Sequence, residues 1–198
     1  MPQPKIKIKS PVDTVSKPCF MEVSAGSNAM NIKSCEYWDG NASMPVVLDD
    51  GGREMAGFKG RAGDCVTRAI TIASEMQYRE VYDILAAGNE DQRKTKRGGK
   101  RTASRGINTT RKWFKDQMIA WGFRWTPTML IGSGCKVHLL KGELPAGRLV
   151  VALSKHYTAV IDGIVHDTYD PHRSGLSTVD GVTSLSHRCV YGFWQFNR

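Results

Sequence analysis

No stretch of this chain is more constraining than His156-Tyr157-Thr158-Ala159-Val160-Ile161-Asp162-Gly163-Ile164-Val165-His166-Asp167. Asp162 and Gly163 both tolerate positive φ, and apolar or β-branched residues flank them, which is the pattern of a hairpin closed by a two-residue turn. With those two as the turn, Ile161 faces Ile164, Val160 faces Val165, Ala159 faces His166 and Thr158 faces Asp167. Opposed residues share a sheet face, and faces alternate along a strand. His156 and Thr158 therefore share a face with Asp167, whereas His166 and Asp170 fall on the other. A carboxylate diagonal to an imidazole can fix its tautomer and stabilise its imidazolium form.

About ninety residues earlier, Gly63-Asp64-Cys65-Val66-Thr67-Arg68-Ala69-Ile70 opens a helix. Val66, Ala69, Ile70, Ala73 and Met76 repeat at helical spacing, so this helix buries one face against a sheet while its first turn, with Cys65, stays at the surface. A helix N-terminus lowers a thiol pKa through its unpaired N–H groups and positive dipole end, and a neighbouring imidazole can take the thiol proton. Singly, each residue has a plainer reading: Cys65 as a small core side chain, His156 as a half-buried strand residue, Asp167 as a strand-end residue bonding its own backbone. The signal lies in the combination of helix-borne Cys65, strand-borne His156 and same-face Asp167.

The rest of the chain supplies a scaffold. Tyr78, Val81, Tyr82 and Leu85 mark a second helix ending near Gly88; Asn108-Thr109-Thr110 caps a third that carries Trp113, Phe114, Gln117, Met118 and Trp121 and stops at Gly122. Strands are expected at Leu149–Leu153, Tyr157–Ile161, Ile164–Thr168 and Arg188–Phe196. Helices first and strands afterwards indicate an α+β fold with an antiparallel sheet packed on the cysteine helix. Residues 1 to 56, broken by Pro2, Pro4, Pro11, Pro18, Pro45 and several glycines, read as an extended or partly ordered N-terminal arm, with the domain proper at 57–198.

The order and placement of Cys65, His156 and Asp167 resemble the papain-like cysteine peptidase superfamily, in the broad sense that includes the C39-type and NlpC/P60-type peptidases and amidases. Compact bacteriophage and bacterial proteins share the arrangement. The resemblance spans about Gly57 to Phe196 and is closest at Ala62-Gly63-Asp64-Cys65 and from Leu149 through His156 to Asp170-Pro171. It implies a papain-like fold, a nucleophile at Cys65, a base at His156 and an orienting acid at Asp167. Asp170 is the alternative acid, because the Asp-Pro pair also resembles the C39-type pattern. The chain departs from the family in having no glutamine between Gln3 and Gln77 to complete an oxyanion hole. Lys59 is a substitute donor to consider, and the Cys65 N–H another. A second departure is Asp64, which is placed to cap the helix but opposes ionisation of the adjacent thiol.

Charge adds a second theme. The chain of 198 residues carries a formal net charge of +9. Between Gln92 and Gly106 stand Arg93, Lys94, Lys96, Arg97, Lys100, Arg101 and Arg105 with no acid; removing those seven leaves only +2. This basic loop either solubilises the protein or binds nucleic acid or another anionic partner, although it holds no aromatic residue on which bases would stack.

Five cysteines, Cys19, Cys35, Cys65, Cys135 and Cys189, are scattered and odd in number, which argues against a complete disulfide framework and for a reducing compartment. Cys135-x-x-His138, with His166, His172, His187 and Cys189, matches no common zinc spacing, so neither metal nor other cofactor is expected. The N-terminus has no apolar run behind its charges and no later stretch reaches membrane-spanning length, so the expectation is a soluble, cytoplasmic protein without a membrane partner.

The resulting expectation is a cysteine-dependent hydrolase, a peptidase or amidase acting on a protein, peptide or small amide through Cys65, His156 and Asp167. The alternative is a catalytically inactive papain-like module that binds nucleic acid or an acidic partner through its basic loop.

Overall fold

The structure, a computed structural model, describes residues 43–60, 62–91, 102–173, 176–179, 182–185 and 187–197. All of them belong to one compact unit, Trp38–Arg198. The expected N-terminal arm up to residue 42, Cys19, Cys35 and the basic residues Arg93 to Arg101 lie outside the described residues.

The fold is mixed α+β. The elements run β1 (Val46–Leu48), α1 (Cys65–Ser74), α2 (Tyr78–Glu90), a single 3-10 turn (Ala103–Arg105), α3 (Lys112–Ala120), β2 (Phe123–Pro127), β3 (Arg148–Leu153), β4 (His156–Ile161), β5 (Ile164–Asp167), β6 (Leu176–Val179), β7 (Val182–Leu185) and β8 (Gly192–Phe196). Six strands form one sheet in the order β1-β5-β4-β3-β8-β2, and β6 and β7 form a separate hairpin. Five strands of the large sheet are antiparallel as expected; β1 joins the edge parallel to β5, with Leu48 opposite Asp167.

The hairpin register is the one the turn dictates: Ala159 opposite His166, Val160 opposite Val165 and Ile161 opposite Ile164. Asp162 at φ 48° and Gly163 at φ 80° supply the paired positive angles such a turn needs. Asp162 Oδ1 also accepts from Gly147 N–H at 2.8 Å, tying the turn to the entry of β3.

Both faces of the sheet are buried. On one, Val150, Ala159 and Trp194 pack with Val66, Ala69, Ile70 and Ala73 of α1, Val81 and Leu85 of α2 and Phe114 and Met118 of α3. On the other, Leu149, Val151, Leu153, Val160, Val165 and Phe193 pack beneath Leu139, Val190 and Met44. Arg148, the first residue of β3, ends α1 from the sheet side. Its guanidinium donates to Ala73 O at 2.7 Å and Ile72 O at 2.8 Å and pairs with Glu75 at 2.8 Å. It thereby satisfies carbonyls that a helix C-terminus leaves without intrahelical partners.

Helix α2 ends at Glu90, near Gly88 as expected, and that glycine also serves packing. A Cβ there would lie 2.5 Å from the Trp113 ring. Asn108 does not cap α3: its carboxamide accepts from Thr110 N–H at 3.1 Å and Thr110 Oγ1 at 2.7 Å, closing a turn ahead of the helix. Strand β8 begins at Gly192 rather than Arg188, because the residues before it bond to another segment. Leu139 N–H donates to Arg188 O at 2.9 Å and Val190 N–H to Val137 O at 2.8 Å.

That pairing brings Cys135 and Cys189 together as a disulfide across a separation of 54 residues. An odd, scattered cysteine count gave no sign of it, and the bond runs against the reducing setting expected. Among the described residues no helix is long and apolar enough to cross a membrane, and no group of three or more His, Cys, Asp or Glu is gathered around one point.

Candidate active site

Cys65 is the first residue of α1, half-buried, and the only cysteine outside a disulfide among the described residues. The helix packs on the sheet face of Val150 and Ala159, whereas the register puts His156, Thr158 and Asp167 on the opposite face, with Val160 and Val165. Thiol and imidazole nevertheless meet, because His156 is the first residue of β4 and Cys65 stands over that strand's beginning. The Tyr157 backbone N–H there favours the anionic form of the sulfur.

His156 and Asp167 are both buried, and Nε2 lies 2.6 Å from Asp167 Oδ2. The other carboxylate oxygen accepts from Thr168 N–H at 2.8 Å, which holds the group in its rotamer. With Nε2 committed to Asp167, Nδ1 is the nitrogen left for the Cys65 thiol, with which the ring interacts electrostatically.

Electrostatics follow from those contacts. Burial works against a charged imidazole, but the bonds and charges of Asp167 and Cys65 outweigh it and push the His156 pKa up to about 9. Burial likewise pushes the Cys65 thiol up. The His156 hydrogen bond and charge, the Tyr157 N–H and the Arg68 guanidinium together bring it below its ordinary value. The two shifts have opposite signs and a shared cause: each charged partner favours the other. The arrangement favours a thiolate–imidazolium pair.

The other candidates are placed elsewhere. Asp170 is largely exposed, and its Oδ1 accepts from His172 Nδ1 at 2.7 Å and His172 N–H at 2.9 Å rather than from His156. His166, on the helix-side face, lies 3.3 Å from Asp49 Oδ2. Cys135 and Cys189, two of the considered zinc ligands, are joined to each other. Lys59 is exposed, and its carbonyl accepts from Arg53 Nη2 at 3.1 Å. Of the basic loop, Arg105 is described and is exposed at the end of the 3-10 turn.

Asp64 behaves differently from expectation. It makes no side-chain bond to the first turn of α1. Its carboxylate, 1% exposed, is taken instead by Arg53 Nε at 2.8 Å, Arg68 Nη1 at 2.5 Å and the Tyr78 hydroxyl. Two guanidiniums offset one carboxylate, which removes the repulsion of the thiolate that its place in the sequence suggests.

Several contributors escaped sequence reasoning. The Tyr169 ring lies 5.1 Å from the His156 ring and covers it on one side. Arg188 donates to Pro171 O at 2.9 Å and Ser154 O at 2.8 Å, bracing the segments on either side of the histidine. Tyr157 OH donates to Thr109 Oγ1 at 2.9 Å, and Gly63 N–H to Ser104 O at 2.7 Å, so the end of the basic loop and the residues after it pack directly beside the cysteine. Only Tyr169 carried a signal, as an aromatic two residues beyond Asp167; the rest depend on tertiary contact.

No family model matches the chain, and no curated protein or solved structure matches it.

Proposed function

We propose that this protein is a cysteine-dependent acyl-bond hydrolase, with Cys65 as nucleophile, His156 as general base and acid, and Asp167 as the group that orients the imidazole. One observation carries the reading: a single buried imidazole, hydrogen bonded to a buried carboxylate, interacts electrostatically with the thiol at the N-terminus of α1. An imidazole set between a carboxylate and a thiol has the parts of an acyl-transfer site.

In the proposed reaction the Cys65 thiolate attacks an amide carbonyl carbon, forming the C–S bond and placing negative charge on the carbonyl oxygen. The tetrahedral species collapses with cleavage of the C–N bond, and the His156 imidazolium protonates the departing amine, leaving a thioester. Water then attacks the thioester, giving one proton to His156. The C–S bond breaks, releasing a carboxylic acid and restoring the thiolate. In both halves of this reaction the carbonyl oxygen accepts from the Cys65 backbone N–H. A papain-like assignment rests on the motif order and on these contacts.

The test is capture of the intermediate. The 198-residue chain is exposed to a panel of peptide amides and activated acyl esters, quenched in acid and mapped by mass spectrometry. An acyl mass on the peptide containing Cys65, removed by hydroxylamine and absent from Cys65→Ala, is the expected result. Absence of any Cys65-dependent adduct or turnover across the panel would contradict the reading.

A further inference from the structure

We infer that Asp64 is a positioning residue that fixes the loop ahead of Cys65 and holds its own carboxylate away from the first-turn amides of α1. This deepens the hydrolase reading and rests on it.

An aspartate immediately before a helix ordinarily turns back to accept from the N–H groups of the first turn. Here the intrahelical bonds begin with Arg68 N–H to Asp64 O at 3.1 Å, so the amides of Cys65, Val66 and Thr67 have no intrahelical acceptor, and Asp64 does not cap them. A capping carboxylate would compete with the developing oxyanion of a bound carbonyl for the same donors. The structure holds it off through three donors from three directions: Arg53 from the preceding segment, Arg68 one helical turn on, and Tyr78 from the first turn of α2. Burial of a charge this complete is tolerated only when it is paired and hydrogen bonded.

The same network fixes the backbone before the nucleophile. While Arg53 Nε is held by Asp64, its two terminal nitrogens donate to Phe58 O at 3.2 Å and Lys59 O at 3.1 Å. The planar fork thus joins the carboxylate next to Cys65 to the strip of chain that lacks the family's glutamine. Phe58 packs edge-on against Tyr78 at 5.1 Å and lies tilted against Tyr82 at 4.5 Å, completing the anchor. The groups acting on the thiol are His156, Arg68 and the Tyr157 amide, with Asp64, Asp167, Tyr157 and Tyr169 as surrounding titratable groups.

Two reactions of the one sulfur are separable. Alkylation by iodoacetamide requires only a thiolate; acylation by 4-nitrophenyl acetate also requires donors for a carbonyl oxyanion. In Asp64→Asn the guanidiniums lose their counter-charge, so the alkylation midpoint stays at or below that of wild type, while Cys65 acylation falls at least tenfold. Arg53→Lys, which keeps a charge but not the fork, and Tyr78→Phe, which removes one donor, are expected to lower acylation relative to alkylation at least threefold. They decide the matter if Asp64→Asn does not unfold cooperatively. An acylation-to-alkylation ratio equal to wild type in the folded variants would overturn the inference while leaving the hydrolase reading intact. A wild-type chain that is not acylated at Cys65 would instead remove that reading, and this inference with it.

Discussion

His156 Nε2 and Asp167 Oδ2 lie 2.6 Å apart, on strands joined by a two-residue turn. A one-residue slip of register would put the carboxylate on the other face of the sheet. Asp167→Asn keeps the shape and removes the charge, so the His156 pKa drops from about 9 toward its ordinary value and the thiolate loses part of its support. The acidic limb of a Cys65 alkylation–pH profile is expected to move to higher pH, with acyl-transfer rates down at least tenfold. Asp170→Asn, whose carboxylate serves His172, should stay within about twofold of wild type. Alkylation rates measured from pH 4 to 10 in the three proteins check this.

The same pair sets a pH window for stability. A histidine whose folded pKa is raised to about 9 contributes stability that is complete below its unfolded value of about 6.5 and lost as pH rises through 9. The lowered Cys65 works in reverse, contributing fully above its unfolded value and less as pH falls through the folded one. For His156→Gln the loss of melting temperature relative to wild type is expected to be larger at pH 6 than at pH 10. Thermal unfolding of both proteins at the two pH values measures the difference.

Arg148 holds the C-terminal end of the cysteine helix. Arg148→Met removes two charge-assisted bonds to carbonyls while keeping most of the aliphatic stem, and should destabilise the fold by about 2–4 kcal/mol. Glu75→Ala, which removes only the largely exposed partner, should cost no more than about 1 kcal/mol. Urea unfolding midpoints of the two variants separate these contributions.

Gly88 provides a test in which propensity and packing disagree. Alanine is about 1 kcal/mol more favourable than glycine inside a helix, yet here the added methyl would meet the Trp113 ring at 2.5 Å. Overpacking of this kind typically costs about 1–3 kcal/mol, so Gly88→Ala is expected to be net destabilising. A urea midpoint above that of wild type would show that the ring has room to move.

Legibility in the sequence followed the range of the interactions. The β4–β5 hairpin could be read because turn chemistry and alternation are local, and they fixed which histidine and which aspartate share a face. Helix α1 could be read from apolar spacing alone. The parallel edge strand β1 could not, since three residues between Pro45 and two aspartates carry little pattern and pair only because β5 offers an edge. Gly88 marked where α2 ends to within a turn, but its contact with Trp113 depends on tertiary packing and was not legible. Asp64 failed as a cap because Arg53 and Tyr78, 11 and 14 residues away, outcompete the nearby amides. The Cys135–Cys189 bond depended on backbone pairing that no spacing rule describes.

The most direct measurement is the pH dependence of iodoacetamide alkylation with the modified residue mapped by mass spectrometry, in wild type and His156→Ala. An activated pair gives rapid labelling at Cys65 below pH 7 that His156→Ala abolishes, shifting the midpoint toward the ordinary thiol value of about 8.5. Labelling of wild-type Cys65 with a midpoint near that ordinary value, unchanged by His156→Ala, would contradict the account.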